Sequence, residues 1–440
     1  MSKPHLVVLG AGESGASAAR LGQQQGYDVF VSDFGAGSER YLAELDEAGI
    51  AYETGGHTLD RVLQAEVVVK SPGIPDTAPV VKAILGAGIP VVSEIEFAFR
   101  YVHPEATIVG ITGSNGKTTT TLLTHFLLQE AGEKAVAGGN LGDSFARLLL
   151  DHEPQDIYVL ELSSFQLDGI VDFRPDIAVV LNITPDHLDR YGYELDRYAD
   201  SKLRIGRNQR SVDHLLVLQD DKTLAPALRR NPTRARVTTI DPDRDIQGTT
   251  LRVDDDTFSL HTGRLTGRHN AMNALFAVRI ARLLTVSDEE IQLALDNFRP
   301  APHRMEVIPT ADGRTWINDS KATNVDSTYF ALEAMDGPTV WIAGGTDKGN
   351  DYEPLREVVD GKVHTLICLG QDNEKLRTAF ADLERVVECR SAREAVELAD
   401  RYARAGDRIL LSPACASFDL FKNYVDRGDQ FRACVQTIAA

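Results

Sequence analysis

Short apolar runs rich in β-branched residues recur along the whole chain, and between them apolar residues return at the spacing of a helix face. The runs at 6–9, 28–32 and 66–70 read as strands, and the segments 15–26 and 79–87 as helices. Strand, helix and strand in repetition imply βαβ units that feed a parallel sheet. The Ser-Glu-Ile-Glu stretch at 93–96 closes this first series, and a second begins near Ala106. It carries strands at 106–111, 157–162 and 177–181, polar hairpin material at 241–265, and a well-patterned helix at 270–284. Residues 298–302, Phe-Arg-Pro-Ala-Pro, form a proline-punctuated linker. A third series follows, with strands at 340–343, 365–369, 386–388 and 408–411 and helices between them. No repeat or low-complexity segment breaks the pattern. The expected fold is α/β, with three consecutive α/β domains at 1–95, 96–300 and 301–440. That organisation suits an enzyme bringing separately held substrates together.

Two glycine loops sit where strands run into helices. Residues 112–119 read Thr-Gly-Ser-Asn-Gly-Lys-Thr-Thr, directly after the apolar run 106–111. Such a turn cradles a triphosphate: backbone N–H groups of Gly113, Ser114, Asn115 and Gly116 and the helix N-terminus, through Thr119, face the phosphate oxygens. Lys117 supplies a point charge and the Thr118 hydroxyl can hold Mg²⁺. Ile111 stands where the usual P-loop has its first glycine, so this is one of the shorter variants, and the middle domain is of the P-loop type that binds ATP. The other loop, Gly10-Ala-Gly12-Glu-Ser-Gly15, follows the first strand, and Asp33 ends the next one. Taken alone it is a dinucleotide fingerprint of a Rossmann-like domain and suggests an NAD- or FAD-dependent oxidoreductase. The same geometry accepts any nucleotide diphosphate, a UDP-sugar included. The downstream ATP loop decides between them, because hydride transfer has no use for a γ-phosphate.

Composition narrows the partners. At 440 residues the chain exceeds one compact core, and its 43% hydrophobic and 25% charged fractions are those of a soluble globular protein. A net charge of −19, from 46 basic and 65 acidic residues, argues against nucleic acid or an anionic membrane as the main partner. Cys368, Cys389, Cys415 and Cys434 show no CxxC pairing and read as buried reduced thiols of a cytoplasmic protein. The short apolar run ending at Gly10-Ala-Gly leaves no room for a signal peptide, and no apolar stretch is long enough for membrane insertion. A monomer is expected.

Phosphoryl transfer needs metal ions across the β- and γ-oxygens and a positive clamp on the developing charge. Candidates lie at strand ends of the middle domain. Glu161 ends one strand before Ser163-Ser164, where a solvated carboxylate is the plain alternative. His187 lies between Asp186 and Leu188-Asp189 after another strand, a place where a cap or loop histidine is commoner than a ligand. Lys202 belongs to a helical stretch in which a solvated lysine is the default. Arg304 and Lys321 are cationic candidates from the third domain, and Asn140, in the Gly-Gly-Asn bend at 138–140, could read a base edge.

Together these segments resemble the Mur ligase family, the ATP-dependent amino-acid ligases of peptidoglycan precursor synthesis, over essentially the whole chain. The loop at 112–119, Gly-Gly-Asn at 138–140, Glu161, His187 and the His-Asn-x-x-Asn at 269–273 fit the family in general. Glu161-Leu-Ser-Ser-Phe-Gln-Leu167, Asn318-Asp-Ser-Lys-Ala-Thr-Asn324 and Ser412-Pro-Ala-Cys-Ala-Ser-Phe-Asp419 point to its D-glutamate-adding branch. The resemblance implies that Lys117 and Thr118 bind phosphate and Mg²⁺, that Glu161 and His187 hold two metal ions, and that Lys202 is N-carboxylated. It implies Asn140 and Asn273 at the adenine, and Asp319 and Arg304 at the ribose and phosphates. Lys321, Thr323, Lys348, Ser417 and Tyr424 would line a D-glutamate pocket, and Ser14, Asp33 and Gly73 would hold the uridine diphosphate end of UDP-N-acetylmuramoyl-L-alanine. Two departures stand out: Ala301 replaces an expected Leu, and Tyr424 an expected Phe. The implied third domain is again Rossmann-like and would close on the middle one about a hinge near 299–303. Two rival classes remain in view. An oxidoreductase leaves 112–119 unexplained, and a simple ATPase or switch leaves the first and third domains without purpose.

Overall fold

The computed structural model describes residues 3–260, 265, 267–299, 302–310, 313–347 and 349–438. Pro300 and Ala301 of the linker, and Lys348, lie outside them. The chain packs as two compact units, Met1–Ser259 with Asn273–Asn297, and Leu260–Met272 with Phe298–Ala440.

The first unit holds two parallel sheets. Strands β1 (His5–Leu9), β2 (Asp28–Ser32), β3 (Ala51–Glu53), β4 (Val67–Lys70) and β5 (Val91–Ser93) align in the order β3-β2-β1-β4-β5. All their pairings are parallel. The order reverses between β1 and β4, which opens a crevice beyond their C-terminal ends. The second sheet contains β6 (Thr107–Thr112), β7 (Ala135–Gly139), β8 (Ile157–Glu161), β9 (Ile177–Val180), β10 (His214–Leu218) and β11 (Arg236–Ile240), ordered β11-β10-β9-β6-β8-β7 and again parallel. The expected hairpin material is a small antiparallel sheet of β12 (Ile246–Gln247), β13 (Thr250–Val253) and β14 (Asp256–Ser259).

One apolar core runs from Leu6, Val8 and Phe97 of the first series to Phe145, Tyr158 and Leu160 of the second. The 93–96 segment fastens the two. Ser93 caps the helix Glu94–Phe99, Glu94 accepts the Ala146 N–H at 2.5 Å, and Glu96 Oε2 accepts three N–H groups, from Val171, Asp172 and Phe173. Burial pushes the Glu94 carboxyl up to about 8. Glu13, inside the first glycine loop, accepts from Arg147 Nε at 2.8 Å and from Ser144 N–H at 3.2 Å.

The second unit is built on β15 (Glu306–Ile308), β16 (Thr315–Asn318), β17 (Thr339–Ala343), β18 (Val363–Leu369), β19 (Arg385–Cys389) and β20 (Arg408–Leu411), in the order β15-β16-β20-β17-β18-β19. Only β15 runs antiparallel. Trp316 and Trp341 are fully buried, and the Trp341 indole donates to the Ser412 carbonyl at 2.8 Å, tying the end of β20 to the core. All four cysteines are free thiols, three of them buried. No helix among the described residues is long and apolar enough to cross a membrane.

Candidate active site

The phosphate-loop segment folds because β6 is buried and its end is braced from β9. Ser114 N–H donates to the Asn182 carbonyl and Asn115 N–H to Asn182 Oδ1, both at 2.9 Å, while Ser114 Oγ donates to Thr184 O at 2.9 Å. Gly116 has φ +84° at the start of the helix Lys117–Glu130, and a Cβ there would stand 2.2 Å from Asn273 Oδ1. Glycine is required by that backbone. The N-cap residue, Gly116, has no side chain to cap the helix, and the N-terminal end of the helix dipole faces the loop, where it favours an anion. Lys117 Nζ donates to the carbonyls of Gly113 and Ser114, each at 2.8 Å.

Beside the loop, Thr118 Oγ1 donates to Glu161 Oε2 at 2.7 Å and Asn140 Nδ2 to Glu161 Oε1 at 2.9 Å. The backbone joins them too, with Asn140 N–H on the Glu161 carbonyl at 2.8 Å. Asn140 thus orients the carboxylate. Glu161 is 3% exposed, so it is no solvated strand-end acid. Lys202 is 1% exposed, donates to the Gly113 carbonyl at 2.8 Å and lies 4.6 Å from the Tyr198 ring centroid. Burial drives its pKa well down and the Lys117 charge adds to this, against Asp186, Glu161 and Asp168. His187 has φ +52° and heads the short helix Leu188–Tyr191. Its ring meets Phe165 edge-on at 5.3 Å, with Nε2 3.6 Å from Asp186 Oδ2.

The donors suit magnesium. Glu161 and Thr118 present hard oxygen atoms side by side, and Mg²⁺ characteristically takes one or two protein oxygens together with phosphates and water. No group of three or more His, Cys, Asp or Glu residues that could hold a metal is found among the described residues.

At the first glycine loop a Cβ on Gly15 would meet the Gly10 carbonyl at 1.9 Å, so the turn is closed by backbone packing. Asp33 braces it: Oδ2 accepts the Ala11 N–H at 2.6 Å and Oδ1 the Gly35 N–H at 2.7 Å. Ser14 is half-buried in the first helical turn. Gly73, exposed after β4, accepts from Arg190 at 3.3 Å.

In the second unit Asp319 accepts from Ser412 Oγ at 2.9 Å and from Met305 N–H at 3.2 Å, and burial lifts its carboxyl to about 7 despite the nearby Arg304 charge. Burial, with the Arg304 charge adding to it, holds His269 down to about 4. Lys321 Nζ lies 5.2 Å from the Tyr424 ring centroid, Thr323 is half-buried, and Ser417 is 2% exposed. The bracing role of Asn182 and Thr184 was not read from the sequence, although Asn-Ile-Thr directly after the strand at 177–181 was the available signal.

Family models and curated relatives match the chain along most of its length. Residues 4–93 match the Mur ligase MurD-like N-terminal domain, 111–281 the Mur ligase middle domain, and 303–415 the Mur ligase glutamate ligase domain. The chain is 46% identical to the UDP-N-acetylmuramoylalanine–D-glutamate ligase of Cytophaga hutchinsonii, covering 99% of each chain. It is 46% identical to the enzyme of that name from Porphyromonas gingivalis, covering 98% of each. The solved structure of a pseudomurein peptide ligase type C from Methanothermus fervidus shares the fold, with a TM-score of 0.62 at 20% identity over 99% of this chain and all of that one. With matching models for all three domains and end-to-end identity of this order, the chain belongs to the Mur ligase family.

Proposed function

We propose that this protein is the ADP-forming ligase that adds D-glutamate to UDP-N-acetylmuramoyl-L-alanine in cytoplasmic peptidoglycan precursor synthesis. The observation that carries the reading is the 46% identity to D-glutamate ligases over 99% of both chains. The functional division 1–95, 96–300 and 301–440 assigns the nucleotide-sugar, ATP and the amino acid to successive domains.

A carboxylate is a poor electrophile, so amide formation in water needs activation. The L-alanyl carboxylate attacks the γ-phosphorus of ATP, ADP leaves, and an acyl phosphate forms. The D-glutamate amine then attacks the acyl carbon, and inorganic phosphate departs from the tetrahedral intermediate as the amide forms. Bound Mg²⁺ supplies charge neutralisation between the phosphates and the incoming carboxylate. Lys117 and the loop N–H groups stabilise the charge that develops on the transferred phosphoryl group. Thr118 and Glu161 would hold the metal, with His187 and an N-carboxylated Lys202 completing the set for two ions. Asn140 keeps Glu161 in place. Asn140 and Asn273 are assigned to the adenine, and Arg304 and Asp319 to the ribose and phosphates of ATP. Anchoring the distant UDP end at Ser14, Asp33 and Gly73 supplies binding energy that positions the reacting carboxylate.

Phosphate release should require both UDP-N-acetylmuramoyl-L-alanine and an amino acid, and a panel of amino acids tests the assignment of Lys321, Thr323, Lys348, Ser417 and Tyr424. An acceptor lacking the side-chain carboxylate leaves a pocket cation without its partner, a larger penalty than an apolar pocket imposes. D-glutamate should therefore exceed L-alanine by orders of magnitude in kcat/KM, and L-glutamate as well, because the opposite hand at Cα cannot place both carboxylates and the amine at once. Comparable rates with L-alanine would move the protein to a sister ligase, and release without either substrate would make it a plain ATPase.

The first glycine loop has its own test. UDP-N-acetylmuramic acid derivatives should raise the thermal unfolding midpoint, whereas NAD and NADP at the same concentration should leave it in place. A large shift with NAD alone would restore the oxidoreductase reading of that domain.

A further inference from the structure

Arg427 lies in the first turn of the helix Tyr424–Ile438 and is 1% exposed. Every hydrogen bond it makes among the described residues ends on a neutral oxygen. Nε donates to Ser320 Oγ at 3.0 Å and Nη2 to the Ser320 carbonyl at 2.8 Å. Nη1 donates to the carbonyls of Gly344 at 3.4 Å and Cys415 at 3.3 Å, and Nη2 reaches Cys415 as well at 3.4 Å. A guanidinium buried without a paired carboxylate is costly, and apolar replacements of similar volume usually stabilise a fold more. Its presence calls for a reason beyond packing.

The acceptors supply one. Ser320, Gly344 and Cys415 lie in the segments that follow β16, β17 and β20, which are neighbours in the sheet and end on the same side. Ligands of parallel sheets collect beyond those ends. Each segment carries an acceptor-site residue assigned above: Lys321 follows Ser320, Lys348 lies four positions after Gly344, and Ser417 two after Cys415. The fourth assigned element is tied in as well, since Ser320 Oγ donates to the Tyr424 carbonyl at 2.8 Å. A planar fork with five donors can hold three backbone segments at once, whereas a lysine ammonium cannot.

We infer that Arg427 is a specificity-determining positioning residue: it locks the three loops around the amino-acid acceptor and places a buried positive charge behind them that favours a dicarboxylic acceptor over its neutral amide. The inference rests on the D-glutamate reading above. Burial pulls the Arg427 pKa down to about 10 against the nearby Cys415, Asp419 and Asp319, none of which is hydrogen-bonded to it through its side chain among the described residues, so the charge persists at neutral pH.

The test compares kcat/KM for D-glutamate and D-glutamine in the full-length enzyme and three variants. Arg427→Gln removes the charge, Ser320→Asp neutralises it with an adjacent carboxylate, and Arg427→Lys keeps it while losing the fork. The preference for D-glutamate should fall about tenfold or more in each of the first two, with KM for ATP within about twofold of wild type, because a site that pairs an ionic group discriminates strongly against the analogue lacking it. In Arg427→Lys the preference should persist while turnover with both acceptors drops. An unchanged preference in whichever charge-cancelling variant folds would overturn the inference, since a purely structural residue lowers both rates together. A collapsed preference in Arg427→Lys would overturn it as well. If the wild type itself ignores D-glutamate, the functional reading fails first, and the variants are not at issue.

Discussion

Lys117→Ala should lower turnover at saturating ATP by on the order of 10²–10³-fold, the loss seen when one donor of a preorganised electrostatic clamp is removed. The effect is expected on kcat because the charge that Lys117 meets grows as the phosphoryl group moves. The present structure directs its ammonium onto the Gly113 and Ser114 carbonyls, so the side chain is already held over the loop and reorganises little to meet a phosphate. Stability should hardly change, since Lys117 is half-buried and lies outside the apolar core. Phosphate release and thermal unfolding, measured side by side, check both statements. Near-wild-type turnover would show that 112–119 is not the ATP cradle.

Lys202→Ala should be nearly inactive, and acetate or formate should restore part of its activity. A free ammonium buried beside Mg²⁺ would repel the metal, and burial together with the Lys117 charge disfavours the protonated form. The neutral amine can attack CO₂, release a proton and become a carbamate, an anionic oxygen ligand suited to a hard cation. Small carboxylates would occupy the same space in the alanine variant. Lys202→Arg should not respond to them, because its guanidinium keeps the charge and fills the volume. An active, metal-loaded enzyme whose electron density shows an unmodified Lys202 ammonium would sink the idea, as would an alanine variant with full activity.

Local pattern made some of this protein legible from residues alone. The runs at 28–32 and 408–411 are strands with the expected bounds, because each is apolar, β-branched and framed by breakers. Both glycine loops sit at strand–helix junctions as read, since backbone clashes and positive φ leave glycine few rivals there. Short or atypical strands escaped. Ala51–Glu53 and Val91–Ser93 have three residues each, and Ala135–Gly139 ends in two glycines that strand propensity disfavours.

The sequence by itself determined the α/β class, the placing of the phosphate loop and the kinship that its motifs spell, because strand periodicity, turn chemistry and short motifs are local in the chain. Tertiary structure alone decided which groups meet. Asn140 and Glu161 are 21 residues apart and Thr118 and Glu161 are 43 apart, yet parallel pairing brings them within hydrogen-bond reach. By its local pattern alone Lys202 is a solvated helix lysine, and only the motif resemblance sets it at the site; the fold carries it 89 residues back to the Gly113 carbonyl and buries it. Arg427 carries no sequence signal at all, for its meaning lies in three carbonyl-bearing loops that only the β16-β20-β17 order sets side by side. Burial, and with it the cost and use of a charge, is a property of packing between distant segments, and no local pattern encodes it.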